Sequence, residues 1–253
     1  MNNIIEPQKD FSETHLINCE FIKEQTFNNF GFIPGNNICL LLDKIQQLKD
    51  IEGDYVECGT FKGGTLLPLA LYCEHFNVSN NKTLYGMDSF AGFPSSKHHI
   101  NDLPERFNDL YKNNLITKDH FEKAKIRTQD FKSLKHLESS YFENVNEVFK
   151  NSSKFNNVKL IKGAFSDTTP NFNKKISLLH LDCDLYESYL VCLNNLYQNV
   201  VNNGVIVIDE YYSHKYPGAR IAIEEFFKNK KGYFEYYMTS EGHERWCFIK
   251  QEN

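Results

Sequence analysis

The sequence predicts a doubly wound α/β fold: a mostly parallel, seven-stranded sheet that ends in a C-terminal antiparallel hairpin. Three observations predict it. Short apolar runs alternate with segments of helical spacing from about residue 54 to residue 230, the pattern of a parallel sheet covered on both faces. The run 204–208 (GVIVI) is apolar at every position after its glycine, as a strand buried on both sides must be. The last two strand-like runs, 233–238 and 245–250, have too little chain between them for a crossover helix, so they should pair antiparallel at the sheet edge.

Taken in order, the opening stretch to about Phe30 is polar with interspersed aromatics and reads as an arm or short lid. Residues 39–48 (CLLLDKIQQL) carry apolar side chains at helical spacing. Residues 54–58 form a first strand, followed at once by a glycine-rich turn and a helix over 65–76, with Thr65 as N-cap and Pro68 in the first turn. A second strand, 83–87, ends at Asp88. The long polar segment that follows has helical patches (HFEKAKI, FENVNEVFK) and no strand of its own, so it reads as an insertion over the site. Strands at 158–161, 176–181 and 204–208 come next, with a helix through 190–200 and another over 217–230 that has Pro217 at its start. The chain is expected to be one domain over 1–253, with an N-terminal arm or helices over 1–50 and a helical lid over 95–157.

Composition excludes several classes. A formal net charge of −5 is unlike a general phosphate-backbone binder, so no nucleic-acid partner is expected. No apolar run is long enough to span a bilayer and the polar N-terminus has no signal-peptide core, so no membrane partner and a cytoplasmic location are expected. Seven cysteines, none in a CxxC pair, argue against a disulfide framework or zinc cage; Cys58 and Cys183 sit in apolar runs as small hydrophobes.

In open α/β sheets ligands bind beyond the carboxyl ends of the strands. Here those ends carry Glu57, Gly59, Asp88, Gly163, Asp182, Asp184, Asp209 and Glu210. The turn Glu57–Cys58–Gly59–Thr60–Phe61–Lys62–Gly63–Gly64–Thr65 allows a ligand close to the backbone, but its glycine spacing is not GxGxxG. Its carboxylate suits a cationic sulfonium better than a pyrophosphate. Asp88 is placed to accept hydrogen bonds from ribose hydroxyls, or simply to cap a turn. Adjacent parallel strands would bring Asp182 beside Asp209 and Glu210. Three converging carboxylates repel unless a cation lies among them, and an all-oxygen set suits Mg²⁺, Ca²⁺ or Mn²⁺. Helix caps and ion pairs are the plainer alternative. The histidines, His98, His99, His120, His180, His214 and His243, read as ordinary packing or surface residues, although a histidine can serve as a base near neutral pH.

With those residues laid out, the chain resembles the macrocin O-methyltransferase (TylF-type) family of class I, Rossmann-like S-adenosylmethionine-dependent enzymes, which methylate sugar hydroxyls with a divalent metal. The resemblance rests on VECGTFKGGT at 56–65, GMDSFAGFP at 86–94, LIKGAFSDTTP at 160–170, LHLDCDLYES at 179–188, GVIVIDEY at 204–211 and PGARIAIEEF at 217–226, in that order. It implies that Glu57, Gly59, Thr60, Gly63, Gly64 and Thr65 line the methionine and sulfonium end of S-adenosylmethionine. Asp88, with Ser89 and Phe90, would hold the ribose, and Gly163, Ala164 and Phe165 would border the adenine. Asp182 would touch the cofactor and, with Asp209 and Glu210, hold Mg²⁺ or another divalent cation; Asp184 would be the general base. The family usually has Asp-Asp where this chain has Asp209-Glu210, and the longer side chain bears on whether and how Glu210 coordinates. The implied partner is a small-molecule sugar or nucleotide-linked sugar, and family analogy points to a homodimer. The abundance of Asn and Lys suggests an AT-rich genome and, with it, surface or capsular polysaccharide rather than an antibiotic sugar as the acceptor.

Three other readings compete. Asp182-Cys183-Asp184 is a DxD of the kind metal-dependent glycosyltransferases use, though the glycine-rich turn with Glu57 and the second acidic pair count against it. Tyr211 and Lys215 match the YxxxK of short-chain dehydrogenases, but the segment runs into Pro217-Gly218 and reads as a loop. A non-enzymatic scaffold would keep repelling carboxylates together without use.

Overall fold

The buried strand Ile176–Leu181 (β5, numbering strands and helices along the chain) shows why this sequence folds as it does. All six of its residues are buried, because helices cover both sheet faces. The computed structural model describes residues 5–7, 10–35, 37–79, 81–93, 98–137, 145–238 and 243–252. Among them the strands are β1 (Ile5–Pro7), β2 (Asp54–Cys58), β3 (Leu84–Asp88), β4 (Val158–Lys162), β5, β6 (Val200–Ile208), β7 (Gly232–Met238) and β8 (Glu244–Lys250). Their order across the sheet is β1-β7-β8-β6-β5-β2-β3-β4, and β8 alone runs antiparallel to its neighbours. The seven expected strands are all present. The eighth, β1, adds three parallel residues outside β7, so the hairpin is not the outermost element.

One face is covered by α1 (Glu13–Phe30), α2 (Ile38–Gln47) and α3 (Leu66–His75), whose Ile22, Leu41 and Leu67 pack with Leu178, Val205 and Cys247 of the sheet. The other is covered by α8 (Tyr186–Leu196) and α9 (Pro217–Phe227), with Tyr189, Leu193 and Ile223 against Leu179, Ile206 and Phe248. Alternation along each strand sends successive side chains to opposite covers.

The arm expected before residue 30 is instead an 18-residue helix. Ser12 caps it, accepting the His15 N–H at 3.2 Å, and Gly31 closes it in the left-handed region at φ 77°. Its buried residues are Cys19, Ile22 and Thr26, while Leu16, Ile17 and Phe27 face out, which blurs the apolar stripe that identifies a helix in sequence. The helix expected over 190–200 starts earlier, at Tyr186, and stops at Leu196. Its first turn is capped from afar: Asp102 accepts the Tyr186 N–H at 2.8 Å. Thr65 occupies the N-cap position of α3, but its side chain makes no capping bond.

The insertion carries α4 (Arg106–Lys112), α5 (Lys118–Arg127) and α6 (Val145–Ser152), and no strand among its described residues; its parts at 95–97 and 138–144, and Pro94, lie outside them. Phe107, Leu110, Ile116 and Ala124 form a small core of their own, with Ile221 of α9 packed against it. Polar contacts complete the docking. His99 stacks on Tyr186 at 4.4 Å between ring centres. Arg220 of α9 donates to the Leu115 carbonyl at 2.7 Å. His120 Nε2 lies 3.0 Å from the Ser213 carbonyl, so that nitrogen carries the proton of a neutral ring. His120 and His214 are 4.8 Å apart between ring centres.

Burial, then the neighbouring His214, pushes the pKa of His120 down to about 3; burial, then His243, pushes that of His214 down to about 4. Both bind protons more readily in the unfolded chain, so the stability they contribute is present above pH 6.5 and is lost as the pH falls. We expect His120 alone to account for roughly 2 kcal/mol of lost stability by pH 5, read from urea unfolding followed by the fluorescence of the single tryptophan, Trp246. His120→Gln should flatten that dependence; an unchanged slope would remove His120 as its source.

A second test concerns Gly59, which follows β2 at φ 98°, where a Cβ would overlap the Asp182 carbonyl oxygen. Gly59→Ala therefore should lower the unfolding free energy by about 2 kcal/mol or more, whereas Gly64→Ala, where a Cβ meets open space, should be nearly neutral.

Candidate active site

A cavity of about 780 Å³ opens beyond the carboxyl ends of β2, β3 and β5, where the fold places ligands. A larger groove, about 1390 Å³, lies at the opposite ends of the strands and is lined by mixed charges such as Asp50, Glu52, Lys82 and Lys175. The acidic side chains converge only at the first. That cavity is lined by Gly59, Asp88, Ser89, Phe90, Ala164, Phe165, Asp182 and Asp184, all singled out in the sequence. Phe61, Phe93, Cys183, Glu187 and Val191 also line it and were not. Glu57, Thr60, Gly63, Gly64, Thr65 and Gly163 stand behind or beside the wall rather than in it. None of the lining residues comes from 98–137, so the described insertion docks beside this cavity rather than across it.

Backbone geometry builds the wall. Gly59 donates to the Met87 carbonyl at 2.8 Å, which folds the turn after β2 back over β3. Both Asp88 oxygens then accept backbone N–H groups, from Phe61 at 2.8 Å and from Phe90 at 2.7 Å. Asp88 thus pins two loops; the Ser89 hydroxyl also lies 3.4 Å from Oδ1, and Oδ2 keeps a lone pair for another donor. Phe61, Phe90 and Asp184 all adopt left-handed backbones, at φ 46°, 50° and 60°. Such conformations cost non-glycine residues of order 1–3 kcal/mol each and gather at functional sites.

Glu57 is buried behind this wall, paired with His180 Nδ1 at 3.2 Å. Burial opposes charge on the imidazole, but Glu57 foremost, with Asp182 and Asp209, raises its pKa above the ordinary value. His180 therefore packs within its strand, as expected, and also carries a partner. The pair leaves Glu57 Oε2 and His180 Nε2 buried without a hydrogen bond, a costly arrangement in a core.

The acidic cluster consists of Asp182, Asp184 and Glu210, whose carboxylate oxygens lie within 4.8 Å of one another. Burial, then repulsion led by Asp209 for Asp182 and by Asp182 for Glu210, raises both well above the usual carboxylate range; burial, then Asp209 and Asp88 against the Tyr216 hydrogen bond, lifts Asp184 to about 7. The sequence placed Asp209 in this group and Asp184 outside it as a base. The structure turns Asp209 away: its Oδ1 accepts from Asn37 Nδ2 at 2.8 Å and faces Arg245 Nη1 at 3.4 Å. The two neighbours diverge because β6 ends in a tight 3-10 turn, Asp209–Tyr212, which sends consecutive side chains in different directions. Asn37, Arg245 and Tyr189 are contributors that sequence reasoning missed, since none belongs to a strand-end motif. Oxygen donors alone, close together and resisting ionisation, match the chemistry of a small hard cation.

Comparison with known proteins gives the family and the fold. The macrocin-O-methyltransferase (TylF) family model matches residues 36–124 and 116–235. A demethyldecarbamoylnovobiocin O-methyltransferase of Streptomyces niveus is 26% identical over 179 residues, 70% of this chain and 59% of that protein. An 8-demethyl-8-(2,3-dimethoxy-alpha-L-rhamnosyl)-tetracenomycin-C 4'-O-methyltransferase of Streptomyces olivaceus is 25% identical over 165 residues, 64% of this chain and 54% of that protein. The alignments thus span less than two thirds of the length of either relative. Among solved structures, the O-methyltransferase NovP superposes with a TM-score of 0.56 at 18% identity, covering 94% of this chain and 98% of its own. The calicheamicin methyltransferase CalS11 gives 0.57 at 15% identity, covering 98% of both chains. At these identities the superpositions establish the class I methyltransferase fold. No described helix is long and apolar enough to cross a membrane. The family match runs through the glycine turn, Asp88, the acidic cluster and α9, and on it this chain belongs to the macrocin-O-methyltransferase (TylF) family.

Proposed function

We propose that this protein is an S-adenosylmethionine-dependent O-methyltransferase that acts on a hydroxyl of a sugar, with a nucleotide-linked sugar as the acceptor. The observation that carries the reading is a single cavity lined together by Asp88, by Asp182 and Asp184, and by Phe61, Phe90 and Phe165. Asp88 supplies the acceptor for ribose hydroxyls, the aromatic side chains a surface for a purine, and the carboxylates a place for the acceptor hydroxyl. The sugar is supported by the relatives: one carries a rhamnosyl group in its name, and a second structure of CalS11 is described as a TDP-rhamnose 3'-O-methyltransferase.

Methyl transfer needs oxygen, methyl carbon and sulfur in line, and holding them so removes much of the entropic barrier. Gly59 lets the sulfonium end approach the backbone, and Asp182 lies at the same corner. A sugar hydroxyl is a weak nucleophile, and a divalent cation held by Asp182, Glu210 and the nearby Asp184 would lower its pKa. Asp184, also hydrogen-bonded to Tyr216, lies at the cavity edge and accepts the hydroxyl proton if the two approach to about 3 Å.

Thermal shift is the first test. S-adenosylhomocysteine should raise the melting temperature, and UDP or GDP alone should not; the reverse result would favour a glycosyltransferase. Asp88→Ala should weaken S-adenosylhomocysteine about tenfold or more through loss of charge-assisted hydrogen bonds. Asp182→Ala and Asp184→Ala should keep cofactor binding and lose methyl transfer in a screen of nucleotide sugars. Normal turnover by both would remove the assigned roles. EDTA should inhibit and Mg²⁺ restore; transfer indifferent to chelator would leave Asp184 as a metal-free base.

A further inference from the structure

The structure shows how the long Glu210 side chain is held within the acidic cluster. Glu210 is 5% exposed and Tyr189, on the first turns of α8, is completely buried beside it. The Tyr189 hydroxyl donates to Glu210 Oε2 at 2.5 Å and receives the Glu210 N–H at 3.4 Å. The Leu181 carbonyl, at the end of β5, lies 2.9 Å from the same hydroxyl. Glu210 Oε2 in turn accepts the backbone N–H of Asp184 at 3.3 Å. The single hydroxyl proton goes to Glu210, the shorter contact, and through Glu210 the tyrosine ties the end of β6 to the loop that holds Asp184 in its left-handed conformation, φ 60°.

We propose that Tyr189 is a positioning residue for methyl transfer: its hydroxyl fixes the Glu210 carboxylate and, through it, the Asp184 loop. The inference rests on the function proposed above and adds a residue to it. An unheld glutamate has one more rotatable bond than aspartate and would swing out of the cluster or release the Asp184 N–H. The clamp removes that freedom with a phenol that is itself rigid and packed in the core. Without the hydroxyl, a buried carboxylate also loses its closest donor. Groups that orient the ligands of a metal or the members of a catalytic set typically matter 10–100-fold in affinity or rate without touching substrate.

The test is a double-mutant cycle on the full chain with Tyr189→Phe, Glu210→Leu, which fills the same buried space without an acceptor, and the pair, read in three ways. Tyr189→Phe should keep S-adenosylhomocysteine affinity within about twofold, weaken Mn²⁺ binding by roughly 10–100-fold and lower kcat by a similar factor without raising the cofactor KM. Adding Tyr189→Phe to Glu210→Leu should cost little more, because both act through one contact. Hydrogen exchange of the 182–185 segment should quicken in Tyr189→Phe while exchange in β2 and β3 stays as it was. Additive losses, or unchanged exchange with unchanged kcat and Mn²⁺ affinity, would overturn the proposal and leave Tyr189 a packing residue. If the unaltered protein binds no Mn²⁺, the metal part of the proposed function fails, and exchange and kcat still decide the clamp. If Tyr189→Phe does not fold, Glu210→Leu alone must reproduce the faster exchange at 182–185, and its failure to do so also overturns the clamp.

Discussion

Like charges held close together in partial burial are the constraint on which this structure turns. Parallel strands end side by side, so acidic residues at the ends of β5 and β6 must approach each other. The chain answers by giving nearly every such carboxylate its own donor. Asp88 takes two backbone N–H groups, Glu57 takes His180, Asp209 takes Asn37 and Arg245, and Glu210 takes Tyr189 and the Asp184 N–H. Asp182 has the least compensation. It hydrogen-bonds Glu210, which requires a proton between two carboxyl groups, and its pKa is raised accordingly. A proton and a divalent cation are alternative solutions to the same repulsion, so the residue with the weakest support is the one with most to gain from a metal.

The sequence made the sheet and the corner of the cavity legible for a common reason: both rest on local patterns. Strand alternation, apolar runs and the glycine turn are written in consecutive residues, and they made legible β2 through β8 and eight of the seventeen lining residues. What was hidden depends on contacts remote in sequence. Helix α1 has a stripe interrupted by exposed Leu16, Ile17 and Phe27, and becomes stable by packing on α2 and α3. Helix α8 starts where Asp102, 84 residues away, supplies a cap. Asp209 and Glu210 are neighbours in the chain and were read as one pair. Only the partners reaching them, Asn37 and Arg245 on one side and Tyr189 on the other, separate their roles. The resemblance to sugar O-methyltransferases had the same limit: it carried over residues at matching motifs and could not register a tyrosine that reaches Glu210 from another helix.

The same distribution of donors explains where strain is stored. Phe61, Phe90 and Asp184 are left-handed, and each is fixed by its N–H: two to Asp88 and one to Glu210. Strain of that kind persists only when neighbouring contacts over-determine it. The carboxylates that would serve the reaction therefore also hold the loops that present them. Substituting one removes a chemical group and releases a backbone at once, which is why alanine variants at Asp88 or Glu210 measure more than the loss of a side chain.

None of the insertion's described residues lines the cavity, yet they grip the elements that do. Asp102 holds the first turn of α8, just past Asp184, and is itself pushed up to about 6 by burial. His120 holds Ser213, just past the Asp209–Tyr212 turn, and Arg220 joins that turn to the Leu115 carbonyl through its bonds to Tyr211 and the insertion. The residues so held, Tyr186, Ser213 and Tyr211, lie within two residues of Asp184 or within or next to the Asp209–Tyr212 turn. A movement of the insertion therefore cannot occur without loading the ends of β5 and β6. The geometry of the carboxylates is in this sense a property of the whole α8–α9 face and the insertion bound to it, rather than of the strand ends alone.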